Sequence, residues 1–262
     1  MYQNIVTEID QGVGIITLNR PDRHNAFDDA MIDEISIATS AMEADPAVRL
    51  VVYSSTGKSF CAGADLNWMK RMAGYSSQAN LDDSRALAEM FRRVRQCPKP
   101  TVARVQGPAY GGGVGLVAAC DIAIACFDAQ FALTEVKLGL IPAAISPHVI
   151  AAIGERYARR YMLTAERFSA AEAYRIGLLH EIVSDTNGLD EALGEIVDAL
   201  LGNGPEAIAE CKTLIDTVAW QRLSPALIED TAQRITRRRS SSEGREGMSA
   251  FLEKRNPNWR LA

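Results

Sequence analysis

The chain reads as an α/β protein with a helical C-terminal region, and three observations predict it. Short β-branched runs alternate with helix-periodic segments through the first two thirds of the 262 residues, and the last third carries helical signals without strand-like runs. Two glycine-rich turns, Phe60-Cys61-Ala62-Gly63-Ala64-Asp65 and Tyr110-Gly111-Gly112-Gly113-Val114-Gly115, each follow a β-branched run and open into a helix-compatible stretch. The expected division is a core over residues 1–200 and a helical region over 201–262, and 47% hydrophobic residues suffice to bury a sizeable interior.

Ile5 to Ile9 and Val13 to Leu18 flank Asp10-Gln11-Gly12, a turn composition between β-rich runs, so the chain should begin with a hairpin that Asn19-Arg20-Pro21 ends. From Asp28 the period changes: Met31, Ile35, Ala38 and Met42 share one helical face until Asp45-Pro46. Leu50-Val51-Val52-Tyr53 is a short buried strand. An amphipathic helix follows from Asn80 to Gln96, with Leu87, Phe91 and Val94 on one side, and stops before Pro98 and Pro100. Thr101 to Val105 is again a strand. Leu116 to Cys120, uncharged and with few large side chains, suits a buried helix, and Asp121 to Ala125 and Phe131 to Leu133 return to strand.

Beyond Pro142 the signals are helical. Ser169 with Glu172 three residues later makes a capping box, Gly177 ends that helix, Pro205 takes a first helical position after Asn203-Gly204, and the pattern stays helical to the neighbourhood of Lys254. These apolar helices need a surface to cover, either their own core or a sister subunit, which makes a homo-oligomer the expectation.

Composition narrows the function. A net charge of −5 with no basic tail argues against a general nucleic-acid or anionic-membrane binder. Five cysteines without CxxC or Cys/His ligand spacing read as reduced thiols, with no metal site. The N-terminus lacks a basic region followed by an apolar core and no apolar run reaches the length of a membrane span, so the cytoplasm is the expected compartment. Small residues in strand-to-helix turns let a ligand atom come close to backbone N–H groups, and a helix N-terminus adds positive partial charge. Two such turns converging would form an oxyanion hole for a carbonyl oxygen that gains negative charge.

The order of motifs resembles the crotonase family, the enoyl-CoA hydratase and isomerase superfamily, over nearly the whole chain. The resemblance is carried by Leu18-Asn19-Arg20-Pro21 with Asn25-Ala26, by Ala62-Gly63-Ala64-Asp65, by Gly107 and the glycine triplet, by Cys120-Asp121-Ile122, and by Glu135 ahead of Leu138-Gly139-Leu140-Ile141-Pro142. It implies a spiral of ββα turns with a C-terminal helical oligomerisation region, a homotrimer or dimer of trimers, and acyl-CoA thioester substrates. Coenzyme A then arrives as part of the thioester, with no permanently bound cofactor. Carried over residue by residue, the oxyanion donors are Ala64 and Gly112. The CoA contacts are Arg23, Ala62, Ala64, Asp65 and Leu66, with Lys254 reaching a neighbouring subunit's CoA; Arg237-Arg238-Arg239 reads as a solvated helix face.

Hydratases of this family place one glutamate three residues after the middle glycine and a second further along. Here the first position is Gly115 and the second is Glu135, so the acid that protonates the α-carbon is kept and the usual water activator is absent. Gly115 is expected to leave room for a branched acyl chain. Trp68, Met69 and His148 are expected at the acyl site, Trp68 and Met69 being explained almost as well by core packing, and His148 more readily as a structural histidine. His24 suits a ligand rim and His180 an exposed edge. The Ile141-Pro142-Ala143-Ala144-Ile145-Ser146-Pro147-His148 segment departs from the glycine-rich continuation of plain enoyl-CoA hydratases. It looks most like a bacterial subgroup that hydrates methylglutaconyl-CoA in leucine breakdown or isohexenylglutaconyl-CoA in acyclic terpene breakdown. The expected reaction is hydration of a 2,3-double bond. The alternatives are an enoyl-CoA isomerase using Glu135 alone, or a relative that binds acyl-CoA or RNA without turnover. Cys61 and Cys120 read as packing residues.

Overall fold

A computed structural model describes residues 2–260, and these begin with the expected hairpin. Strands β1 (Ile5–Asp10) and β2 (Val13–Leu18) run antiparallel with Ile5 opposite Leu18, closed by Gln11 and Gly12, both at positive φ. β2 then pairs in parallel with β3 (Leu50–Ser55), β3 with β4 (Thr101–Val105), β4 with β6 (Ile122–Cys126) and β6 with β9 (Glu181–Val183). The result is a mixed six-stranded sheet in the order β1-β2-β3-β4-β6-β9.

Every residue of β3 is buried, as a central parallel strand covered on both faces requires. Val51 and Tyr53 face the main core with Met31 and Ile35 of α1 (Asp29–Ala44) and Met90 and Val94 of α3 (Ser77–Gln96). Leu50 and Val52 face the opposite way, against Leu193, Ile196 and Leu200 of α7 (Thr186–Leu201).

A second sheet of three short strands, β5 (Ala109–Tyr110), β7 (Gln130–Ala132) and β8 (Phe168–Ser169), carries the chain into and out of the glycine triplet. Around it lie α2 (Leu66–Met72), α4 (Gly112–Ala119), α5 (Ser146–Thr164) and α6 (Ala170–Arg175). α8 (Pro205–Val218), α9 (Pro225–Ser240) and α10 (Ser242–Glu253) pack on one another at the C-terminal end. They are tied to the body by Arg49, which donates to the carbonyls of Asn203 at 2.8 Å and Trp259 at 3.0 Å, and by Lys212 Nζ, 2.6 Å from Asp121 Oδ2.

Two expectations change. The stretch beyond Pro142 is not wholly helical: β8 lies in it and β9 falls in the last third itself, each too short to show a period of two. The capping box at Ser169 is half made: Ser169 Oγ accepts from the Glu172 amide at 3.2 Å, but the Glu172 carboxylate turns to Arg175 and Tyr161. Among the described residues no helix is long and apolar enough to cross a membrane.

Candidate functional site

The first glycine turn is held as a strand beside Phe27. The Phe27 amide donates to Gly63 O at 2.7 Å and the Asp65 amide donates to Phe27 O at 2.8 Å, so Phe27 and Ala64 form a parallel bridge. Alternate amides of an extended segment point to opposite edges, so the Ala64 N–H faces away from Phe27. It finds no acceptor among the described residues, and Ala64 is exposed. Gly63 carries φ +93°, which favours glycine, and a Cβ there would stand 3.0 Å from Tyr110 O.

The second turn lies against the first. The Tyr110 amide donates to Cys61 O and the Gly111 amide to Ala132 O, both at 2.9 Å. Gly111 at φ +49° and ψ −116° then reverses the chain so that α4 starts at Gly112. As the first residue of the helix, Gly112 has an N–H without an intrahelical acceptor, and none is found elsewhere among the described residues. The two loops touch through glycine: a Cβ built on Gly63 would be 3.8 Å from Gly111 Cα.

Glu135 opens a short 3-10 turn, Glu135–Leu138, soon after β7. Since β7 pairs with β5, the strand that delivers Gly111, the carboxyl comes alongside the glycine turn. A Cβ on Gly111 would stand 3.2 Å from Glu135 Oε1. Oε2 is buried and has no hydrogen-bond partner among the described residues. Burial lifts the carboxyl above its ordinary pKa, opposed in part by the residue's own backbone N–H. Two unengaged amides and a carboxyl that stays protonated to higher pH than usual can hold a carbonyl oxygen as it gains charge and pass a proton to the carbon beside it.

Gly115 does not open room for an acyl branch. A Cβ there would overlap Ile145 Cγ2 and stand 2.8 Å from Ile145 Cβ and 3.1 Å from Phe91 Cζ; Ile145 is 2% exposed. The position where the hydratase motif carries its first glutamate is filled from the loop ahead of α5. His148 follows one turn after Ile145, half-buried, with its ring 6.0 Å from that of Phe91. Burial, with Arg95 adding to it, holds its imidazole below the ordinary value.

The lip around Ala64 is supported by Arg20. Its Nη1 donates to Asp28 Oδ2 at 2.7 Å and its Nη2 to Asp65 Oδ2 at 3.2 Å. Asp28 accepts from the Met31 amide at the start of α1, and Asp65 from the Asn67 and Trp68 amides at the start of α2. Asp65 is therefore turned inward at 4% exposure, its carboxylate committed to the turn. Burial alone would raise its carboxyl, but the Trp68 and Asn67 amides and the Arg20 and Arg23 charges outweigh this and leave it below the ordinary value.

Arg23 and Leu66 are exposed and Ala62 half-buried, and the Ala62 amide donates to His24 O at 3.0 Å, which joins the Arg23 turn to this lip. Trp68, expected at the acyl site, is a core residue, 3% exposed, whose indole N–H reaches Asp83 Oδ1 at 3.1 Å; Met69 beside it is half-buried. Lys254 caps α10 in the C-terminal layer, apart from these residues in the fold. Burial raises the Cys61 thiol to about 12 and raises Cys120 as well, so neither is poised as a nucleophile. His180 is exposed as expected, and its Nδ1 accepts from the Ala123 amide at 3.1 Å. Phe91, Ile145 and Arg20 are residues that only the structure brings to the site; the available signals were the place of Arg20 in the Asn-Arg-Pro motif and that of Ile145 in the Ile141–His148 segment.

Residues 8–261 match the profile of the family described as enoyl-CoA hydratase/isomerase. A crotonyl-CoA hydratase of Syntrophomonas wolfei is 32% identical over 262 residues, spanning 98% of each chain. A 1,2-epoxyphenylacetyl-CoA isomerase of Escherichia coli is 31% identical over 262 residues, spanning 99% of each. Among solved structures, an enoyl-CoA hydratase from Shewanella pealeana superposes with a TM-score of 0.95 at 43% identity, covering 98% of this chain and 96% of that one.

Proposed function

Because this chain belongs to the enoyl-CoA hydratase/isomerase family, whose hydratases act on CoA thioesters and need no resident cofactor, we propose that it adds water across the 2,3-double bond of an enoyl-CoA. The observation that supports the reading is the contact of the two turns at Gly63 and Gly111, with the Ala64 and Gly112 amides unengaged beside it and Glu135 alongside. The thioester oxygen accepts both N–H bonds. Electron density drawn onto it polarises the double bond and leaves the β-carbon open to water. Protonated Glu135 gives its proton to the α-carbon, water oxygen bonds to the β-carbon, and the proton that water loses returns to the Glu135 carboxylate. One carboxyl thus begins and ends the cycle in the same state.

Arg23 and the exposed face of Ala62 and Leu66 receive the CoA moiety, with Lys254 contributing from a neighbouring subunit in a homotrimer or a dimer of trimers. The acyl chain is of the branched glutaconyl type, on the strength of the segment from Ile141 to His148. The absence of a second carboxylate at Gly115 keeps an isomerase reading in view, in which Glu135 shuttles one proton between two carbons. Incubation of a 2-enoyl-CoA with the enzyme in 18O-labelled water separates the two. Hydration gives a 3-hydroxyacyl-CoA carrying the label. A shifted double bond with no label overturns hydration, and binding of the ester without any turnover overturns both.

A further inference from the structure

Three helices run side by side away from the thioester cradle. α4 begins at Gly112, reaches Gly115 one turn later and Ala118 at the next turn. Phe91 and Ile145 close over Gly115 from either side. One turn beyond them are Arg95 on α3 and His148 on α5, and these two, with Ala118, line a half-open cleft of about 470 Å³. Phe91, packed at Gly115, has its ring 6.0 Å from that of His148, so a layer of buried side chains links the cradle end of α4 to the cleft.

Its walls are apolar along α4 and α5, at Val117, Ala118 and Ala152, and polar where Arg95, Gln96, His148, His180 and Asp216 enter. Asp121 also lines it, but its charge is answered by Lys212 Nζ at 2.6 Å. Arg95 gives only Nη2, to Asp216 Oδ1 at 3.1 Å, and that carboxylate is 53% exposed. Nε and Nη1 of Arg95 and both ring nitrogens of His148 have no partner among the described residues. A cleft of mixed lining, with an apolar wall along α4 and α5 and a guanidinium with free donors, fits a hydrocarbon chain ending in a carboxylate, the group that Arg binds in two-pronged fashion.

We propose that this cleft takes the far end of the acyl chain, that a carboxylate there is bound by Arg95, and that Ile145 and Phe91 close the passage until such a chain enters. The substrate class is then an enoyl-CoA with a second carboxylate beyond the β-carbon. The proposal rests on the acyl-CoA reading given above.

The test is the ratio of kcat/KM for a carboxylate-ended 2-enoyl-CoA to that for a methyl-ended one of equal length. Arg95→Gln, at a half-exposed position the fold tolerates, lowers this ratio about tenfold to a hundredfold, the value of a hydrogen bond to a charged group. Asp216→Asn removes the competing anion and raises it. Ile145→Ala raises kcat/KM for both longer chains relative to the four-carbon crotonyl ester. An unchanged ratio in Arg95→Gln, or an unchanged chain-length profile in Ile145→Ala, overturns the proposal. If the wild-type enzyme turns over neither ester, hydration fails as a reading. The cleft is then judged separately by calorimetric binding of the two saturated acyl-CoAs, where the same loss of preference in Arg95→Gln supports it and no loss overturns it.

Discussion

At the scale of single residues, the proposed chemistry turns on the protonation of Glu135. Its pKa is raised by burial, so the acid form persists above the range of an exposed carboxyl and is lost as pH rises through the raised value. Hydration that begins with the acid should therefore lose kcat on the alkaline side of that value. An isomerase that begins with the carboxylate should lose kcat on the acid side. A pH profile of kcat on a 2-enoyl-CoA distinguishes them. Glu135→Gln removes the transferable proton and should lower kcat about a hundredfold or more, with KM little moved. The neighbouring position tests packing. Gly115→Ala drives a methyl into Ile145 and should cost about 1–3 kcal/mol by overpacking. Combined with Ile145→Ala, which removes the Cγ2 that the new methyl meets, the loss should be smaller than the sum of the single effects, and thermal unfolding of the four proteins of the cycle measures this coupling.

At the scale of elements, the cradle depends on helix starts that converge. Arg20 holds Asp28 and Asp65 together, each capping a helix, and the Phe27–Gly63 ladder that orients the Ala64 amide runs between them. Arg20→Gln should cost about 1.5–3 kcal/mol, the range for hydrogen bonds to charged groups, and should lower kcat by misaligning Ala64. Asp65 has its folded pKa depressed, so its contribution to stability is complete above the unfolded carboxyl value and is lost as pH falls through the folded one. Acid unfolding followed by circular dichroism should show Arg20→Gln losing structure at higher pH than wild type. These starts were readable in the sequence because capping is local: Asp28, Ser169 and Pro205 each announce a helix within four residues. The glycine turns were legible for the same reason. β8 and β9 were not, since two or three residues carry no period and only their sheet neighbours make them strands. The closure of Gly115 was hidden too, because Ile145 lies far along the chain and nothing local to either residue records the contact.

At the scale of the whole molecule, the C-terminal helices leave apolar surface unused. Trp220 is 89% exposed, Leu223 81%, Phe251 82% and Leu252 79%, all in the layer formed by α8, α9 and α10 and their connections. Large apolar side chains at such exposure, gathered in one layer, are characteristic of surfaces that meet another chain. Self-association through closed symmetry is the economical way to cover them. Sedimentation equilibrium should give a whole-number multiple of the chain mass, three or six being expected, and Trp220→Glu with Leu223→Glu should shift it toward the monomer. The proposed placement of Lys254 against a neighbouring subunit's CoA would link assembly to catalysis. If that residue serves the CoA of an adjoining subunit, Lys254→Ala raises KM for the CoA ester in the assembled enzyme. In the dissociated variant KM is already raised, and the same substitution adds nothing further. An equal rise in both backgrounds would mean that Lys254 serves its own subunit, and no rise in either would remove it from CoA recognition.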